Sequence, residues 1–335
     1  RDFCLSRGLG DVYKRQLASL LTCPITASNP TDPPPRNDST SAETDQLKAS
    51  GFVLIPGGTF QMGDSFGQGM ARERPVRDVT VSSFFLKSTE TTKAEWDEVR
   101  AWALTHGYEF ENPGEAKADN HPVHSVNWYD ILKWCNARSE KEGLLPCYFR
   151  DPERKSVYRS GRSDLTNHEV RWTSNGYRLP TEAEWEMAAR GGLKGKRFPW
   201  GDTITHSQAN YLSMARVAFD ISPTRNYHPR YSSGKSPFTA PTGSFAPNAF
   251  GLCDMAGNLW EVCWDRFSET SYQSEERTNP RGPLTGNYRS ARGGAFLVSA
   301  SFCRVSCRSE HTADSANRFT GFRQARRPPT KPEEI

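Results

Sequence analysis

Apolar positions first recur with a regular period at Gly51. Phe52-Val53-Leu54-Ile55 is a continuous apolar run closed by Pro56-Gly57-Gly58, which predicts a short buried strand. Thr59-Phe60-Gln61-Met62-Gly63 alternates and reads as its hairpin partner. Val76 to Leu86 alternates again around Val79, Val81 and Phe84. The period then changes to that of a helix. Thr92 followed by Glu95 forms a capping box, Trp96, Val99 and Ala103 share one face, and Gly107 closes the segment. Asn127 caps a second helix with Ile131, Trp134 and Cys135 facing inward, ending near Gly143. Thr181 with Glu184 is another capping box, directly after Pro180. Trp185, Ala188 and Ala189 line that helix, and Gly191-Gly192 ends it.

Beyond Gly192 no long helical period is found. Gly, Pro, Asn and aromatic residues alternate with short strands expected at Gly293–Val298 and Gly321–Ala325. So long a stretch with little regular structure needs internal fasteners, of which metal ions and disulfides are the obvious kinds. Composition fits: 26 Gly, 23 Pro, 9 Trp, 18 Phe and 11 Tyr among 335 residues predict a turn-rich domain with an aromatic core. The net charge of +4 comes from scattered Lys and Arg, which argues against a nucleic-acid surface. Arg323, Arg326 and Arg327 read as a solvated edge before a tail at 329–335.

The first fifty residues differ. Arg1 to Gln16 follows no pattern and looks like non-native leader. Leu17 to Cys23 resembles the truncated end of an export signal, with Cys23 at the lipidated position of a lipoprotein box. Pro24 to Ser50, rich in Pro, Ser, Thr, Asn and Asp, reads as linker, so the expected segments are 1–16, 17–50, 51–328 and 329–335. No stretch is long and apolar enough to span a membrane. An exported, periplasmic, outer-envelope or secreted protein is the expectation. Its even set of domain cysteines then permits disulfides.

One motif is distinctive: Tyr177-Arg178-Leu179-Pro180-Thr181-Glu182-Ala183-Glu184-Trp185-Glu186, followed by Ala188-Ala189-Arg190-Gly191-Gly192. Five further segments occur in the matching order. They are Phe52 to Gly63; His121-Pro122-Val123 with Val126-Asn127-Trp128; Phe198-Pro199-Trp200-Gly201; Asn248-Ala249-Phe250-Gly251-Leu252 to Gly257-Asn258-Leu259-Trp260-Glu261; and Arg292-Gly293-Gly294 to Gly321-Phe322-Arg323. Together they resemble the formylglycine-generating enzyme (sulfatase-modifying factor) family over about Gly51 to Arg326. The resemblance implies an α+β fold related to the C-type lectin fold, compact and mixed, with sparse secondary structure and bound calcium. It implies copper- and oxygen-dependent oxidation of a cysteine in a Cys-x-Pro-x-Arg segment of a sulfatase.

The family's copper(I) is held by two cysteines, since soft thiolates suit that ion. Counting from Gly293-Gly294, the first falls on Val298 and the second on Cys303, and the active-centre serine is Ala295. Cys303 is therefore the one catalytic and copper-binding position carried over. Cys307 substitutes for the missing thiol only if the backbone between them is helical, because on a strand their Cα atoms would be about 13 Å apart. The plainer reading makes both buried or disulfide-bonded cysteines and His311 a solvated histidine.

The resemblance also places a calcium site at Asp254, Gly257, Leu259 and Glu261, two carboxylates and two backbone carbonyls around a hard cation at about 2.4 Å. The alternative is a turn in which Asp254 accepts backbone N–H groups and Glu261 pairs with an Arg. Asn210 and Tyr211 match the first ligands of another calcium site. Its acidic ligand is absent, and Ser233-Gly234-Lys235 stands before Ser236-Pro237-Phe238. Cys135 occupies a family disulfide position whose partner is Gln324 here, which leaves Cys147 as the expected replacement and Cys263–Cys303 as a further pair. Two functions follow as expectations: an oxidase of protein cysteine acting on a sulfatase or other peptide, and a non-catalytic exported binding or envelope module on the same scaffold.

Overall fold

The computed structural model describes residues 39–273 and 276–329. The leader, the signal-like segment and Cys23 lie outside the described residues. The expected linker ends earlier than its composition implies: Ser39–Ala49 is a helix, α1, with Leu47 in the core and Glu43 paired with Arg326 at 2.7 Å.

The predicted hairpin is replaced by a longer pairing. β1 (Phe52–Ile55) and β2 (Gly58–Met62) do not pair with each other. β2 pairs with β3 (Arg77–Val81), and β1 pairs with β4 (Phe84–Lys87). Both ladders share one register, from Phe52↔Lys87 to Met62↔Arg77, so residues 52–62 and 77–87 form two antiparallel arms interrupted at Pro56-Gly57. A Cβ on Gly57 would come within 2.7 Å of the Ser83 backbone N, so the crossing needs glycine there.

The three capped helices form where the pattern placed them. α2 (Lys93–Leu104) is capped by Thr92 and Glu95, and α3 (Trp128–Lys141) by Asn127, whose side chain accepts from the Asp130 N–H. They pack through stacked Trp96 and Trp134, centroids 5.9 Å apart, with Phe322 edge-on to both. α4 (Glu182–Arg190) carries its capping box at Thr181 and ends at Gly191, whose φ of 55° is left-handed. All nine of its residues are buried.

β5 (Tyr177–Arg178) precedes α4, and after α4 come β6 (Ser232–Ser233), β7 (Ser236–Pro237), β8 (Trp260–Arg266), β9 (Tyr288–Arg292), β10 (Ser309–Thr312), β11 (Thr320–Gly321) and β12 (Ala325–Arg326), with two 3-10 turns between them. Two four-stranded sheets result, ordered β1-β4-β12-β5 and β10-β9-β8-β11. The strand expected at Gly293–Val298 is absent. β9 stops at Arg292 because Gly293 and Gly294 take φ of 92° and 78°. Among the described residues no helix is long and apolar enough to cross a membrane.

The expected disulfides do not form: Cys135, Cys147, Cys253, Cys263, Cys303 and Cys307 are free thiols. Asn136 does the fastening instead. Its Oδ1 accepts from the N–H groups of Cys147 and Tyr148, and its Nδ2 donates to the carbonyls of Tyr148 and Tyr158, tying the loop to α3. Gln324, at the lost cysteine position, accepts from Arg138 at 2.5 Å and donates to Thr91 at 3.0 Å. Cys263 and Cys303 belong to separate apolar clusters.

Candidate functional site

Two places hold the residues the sequence singled out. The first is the loop after β9. The paired glycines press the backbone onto Cys303: a Cβ on Gly294 would lie 2.8 Å from its Sγ. Cys303 ends a single 3-10 turn (Ala300–Phe302) and is fully buried, its thiol donating to the Ser299 carbonyl at 3.8 Å. Burial pushes this thiol far above its ordinary value, with Cys307 adding to the effect. A turn, with the Cys307 N–H bonded to the Arg304 carbonyl, separates the two cysteines. Cys303 packs with Phe198, Ile204, Tyr211 and Ala256, whereas Cys307 packs with Trp260, Ala291 and Ala295. Val298 packs against both clusters. Burial pushes Cys307 up to about 12, so neither sulfur is a ready thiolate near neutral pH. His311 is not solvated: it lies on β10, buried, and burial pushes it down to about 4.

The second place is the turn before β8. Asp254 and Asn258 adopt φ of 60° and 65°, and Gly257 of 81°; a Cβ on Gly257 would strike the Asn210 carbonyl at 2.4 Å. Only glycine lets the two loops approach so closely. Asn258 then joins them: its N–H donates to the Asn210 carbonyl, its Nδ2 to Glu90, and its Oδ1 accepts from the Ala240 N–H and Asn210 Nδ2. Glu261 is held by Arg323 through both oxygens, at 2.5 and 2.6 Å, and by the Trp185 indole at 2.7 Å. This is the Arg pairing the sequence left as the alternative. Asp254 accepts from the Gly243 N–H through Oδ2.

Two oxygens are left over. Asn210 Oδ1 and Asp254 Oδ1 are, among the described residues, the buried side-chain oxygens without a hydrogen-bond partner. They belong to the first residue of each expected calcium site. Burial pushes Asp254 up to about 6, with Glu261 adding to the shift against the opposing Gly243 N–H and Arg323. Glu90, which no pattern in the sequence marked, is pushed well above the carboxylate range by burial and by Asp254 and Glu261. It sits just before the α2 cap, where an acidic residue reads as an ordinary helix-start charge. The Tyr211 carbonyl accepts from His206 at 3.1 Å, and Lys235 is exposed in the β6–β7 turn. Among the described residues no three His, Cys, Asp or Glu side chains gather as a metal-binding group. Any cation in this corner therefore relies on carbonyl and amide oxygens beside Asp254.

Fold and site define a compact α+β protein in which paired glycines press the loop after β9 onto Cys303 and buried carboxylates close the turn before β8. Residues 38–328 match the sulfatase-modifying factor enzyme 1-like domain family. The formylglycine-generating enzyme of Streptomyces coelicolor is 37% identical over 302 residues, covering 82% of this chain and 88% of that protein. "Chaperone protein LppX" of Paenibacillus barcinonensis is 29% identical, covering 82% of this chain and 89% of that protein. The solved structure of Treponema denticola variable protein 1 superposes with a TM-score of 0.62 at 26% identity, covering 83% of this chain and 95% of that one. The chain belongs to the formylglycine-generating enzyme (sulfatase-modifying factor) family.

Proposed function

We propose that this chain is a binding module on the formylglycine-generating scaffold and does not carry out two-thiolate copper oxidation. The observation that carries this reading is Val298. Its aliphatic side chain packs at both the Cys303 and the Cys307 clusters, where the family's chemistry wants a second sulfur. One buried, protonated thiol does not fit a copper(I) site, whose affinity comes from two soft ligands. The binding surface is a groove of about 510 Å³ that includes Phe296, two residues past the paired glycines. Lys117 lies 3.8 Å over the ring of Phe238 and Arg318 5.8 Å from that of Phe296, so the groove offers aromatic faces edged by positive charge. A protein or peptide segment with acidic and apolar residues is the matching occupant, and a sulfatase is the family's precedent for such a partner.

Calcium belongs to this reading as a fastener of the Asn210 and Asp254 loops. Each loop leaves one buried hard oxygen without a hydrogen-bond partner, Asn210 Oδ1 and Asp254 Oδ1, at the first residue of the two expected calcium positions, and the Asp254 carboxyl is raised by burial.

The decisive experiment incubates the reduced protein and copper(I) with a Cys-x-Pro-x-Arg peptide and measures aldehyde by mass spectrometry. No aldehyde is expected. Copper(I) titration should show a weak site that strengthens in Ala295→Ser with Val298→Cys. Aldehyde formation by the unaltered protein would overturn the proposal.

A further inference from the structure

A second cleft, of about 520 Å³, shares no lining residue with the groove at Phe296. It lies between the β3–β4 turn, the segment around Trp172, the start of α4 and the Arg327–Pro329 strand end. Its charges do not balance. Arg178 is consumed by Glu184, with two contacts of 2.6 Å. Among the described residues Arg327 reaches only a backbone carbonyl, that of Thr173 at 3.2 Å. Arg281 lies 4.3 Å from the centroid of the Trp172 ring and has neither an ion pair nor a hydrogen bond among the described residues. It is nevertheless half-buried, and burial together with Arg178 pulls it below its ordinary value. The Trp172 indole N–H is buried without an acceptor. The remaining wall adds the hydroxyls of Ser82 and Ser83.

Every group left over here is a donor or a cation. Glu276 and Glu184 oppose the downward shift of Arg281 from a distance, without an ion pair to it. A guanidinium stacked on an aromatic ring, partly removed from water and without a contacting counter-ion, is costly unless something supplies one. Oxyanions meet an arginine fork with two parallel charge-assisted hydrogen bonds, and the cleft has room for a small molecule or a side chain. The geometry points to this cleft as a binding site for an oxyanion group (phosphate, sulfate or carboxylate) held by Arg281 and Arg327 beside Trp172. The alternative, a pair of ordinary solvated arginines, leaves the half-buried Arg281 stacked on Trp172 without a reason.

The test uses the whole protein and simple anions. Trp fluorescence and thermal unfolding are followed while sodium sulfate, phosphate or acetate replaces chloride at constant ionic strength. A saturable fluorescence change and a rise in Tm with at least one oxyanion, absent with chloride, is expected, and the most effective anion identifies which oxyanion the site prefers. Arg281→Gln should weaken that binding about tenfold or more, the scale of one lost charge-assisted contact. Trp172→Phe should remove the fluorescence change while keeping the Tm response. Arg216→Gln, an exposed arginine outside the cleft, is the control for general charge. An unchanged response in Arg281→Gln whose circular dichroism matches wild type, an equal loss in Arg216→Gln, or no saturable difference from chloride would each sink the assignment. These readouts do not involve copper, a peptide or the Phe296 groove, so their failure leaves the proposed function standing and the converse also holds.

Discussion

Two buried acidic clusters in this protein have the same residue types and opposite electrostatics. On α4, Glu182, Glu184 and Glu186 meet Arg178, Arg190, Arg292 and Arg308, and all six carboxylate oxygens have partners. At the turn before β8, Glu90, Asp254 and Glu261 share Arg323, and one Asp254 oxygen has none. Burial works against the charge in both places. In the first, the charges of Arg308 and Arg292 overcome it and hold Glu182 at about 2; in the second it prevails, and Asp254 rises to about 6. A carboxylate's own cations decide the sign: Asp265, which accepts from the Glu182 N–H in the first cluster, is itself pushed well above the carboxylate range by burial and by Glu182. A cluster with enough arginine is complete as a structural unit, whereas one that is short of positive charge is ready for a cation from outside.

The largest expected effect removes a cation from the complete cluster. Arg292 donates to Glu186 and to the carbonyls of Val305, Ser306 and Cys307, which fastens α4 to the loop that carries Cys303. Arg292→Ala leaves Glu186 buried and short of a partner, and should cost about 3–5 kcal/mol in urea unfolding. Removing both charges together, Arg292→Met with Glu186→Leu, should cost less than the single change. An Arg292→Ala loss below about 1 kcal/mol, the scale of a surface pair, would show that α4 does not depend on its charges.

Acid provides the next contrast. Glu182 is depressed from 4.5 to about 2 in the fold. Its contribution is therefore fully present above pH 4.5 and lost as the pH falls towards 2, amounting to at most about 3 kcal/mol. The difference in unfolding free energy between pH 5.5 and pH 2.5 should shrink by that order in Glu182→Gln. An identical pH dependence in the variant would contradict the assigned shift.

Calcium should act on the other cluster alone. At a hundredfold excess over its Kd it should stabilise the protein by about 2.7 kcal/mol, as any ligand of the folded state does. Asp254→Ala should abolish this gain, and Glu182→Gln should leave it intact. If chelators leave the Tm of the wild-type protein unchanged, the calcium proposal fails.

What was legible in the sequence follows the same physics. Caps and helical periods are local, so Thr92, Asn127 and Thr181 revealed α2, α3 and α4 without any knowledge of the fold. Strand partners are not local. Phe52–Ile55 carries nothing that tells Thr59–Met62 from Phe84–Lys87 as its neighbour, and the hairpin was assigned to the nearer of the two. β8 does alternate, with Trp260, Val262 and Trp264 against Glu261, Cys263 and Asp265, but both faces are buried, so its polar positions read as turn and ligand residues and not as the outer face of a strand. Cys303 and Val298 were legible as positions because Gly293-Gly294 fixes the count. The charge shortage at Asp254 was not, since Glu90 reaches it from a residue more than 160 positions away in the chain. The α4 network was hidden in the same way: Arg292 and Arg308 are isolated basic residues in sequence and become partners of Glu182 only in the fold.

The smallest effect expected is also the most local. Thr181 Oγ1 accepts from the Glu184 N–H at 3.2 Å, and Glu184 Oε2 returns to the Thr181 N–H at 2.8 Å. Replacing Thr181 by Ala removes the first bond and leaves the second, because Glu184 is still held by Arg178. An N-cap threonine contributes about 1 kcal/mol, and the surviving Glu184 contacts keep the loss near that figure. Thr181→Ala should therefore lower stability by about 1 kcal/mol in urea unfolding, with no change in slope, and should not alter the response to calcium. Combining it with Arg178→Gln separates the two supports of the helix start. If the two supports are coupled through the helix start, the double variant should depart from the sum of the single losses, even though the Thr181 N–H still meets Glu184 Oε2 in it. Simple additivity would mean that the cap and the ion pair stabilise α4 independently. In that case the complete cluster would be a collection of separate contacts, and its contrast with the Asp254 corner would rest on Arg292 alone.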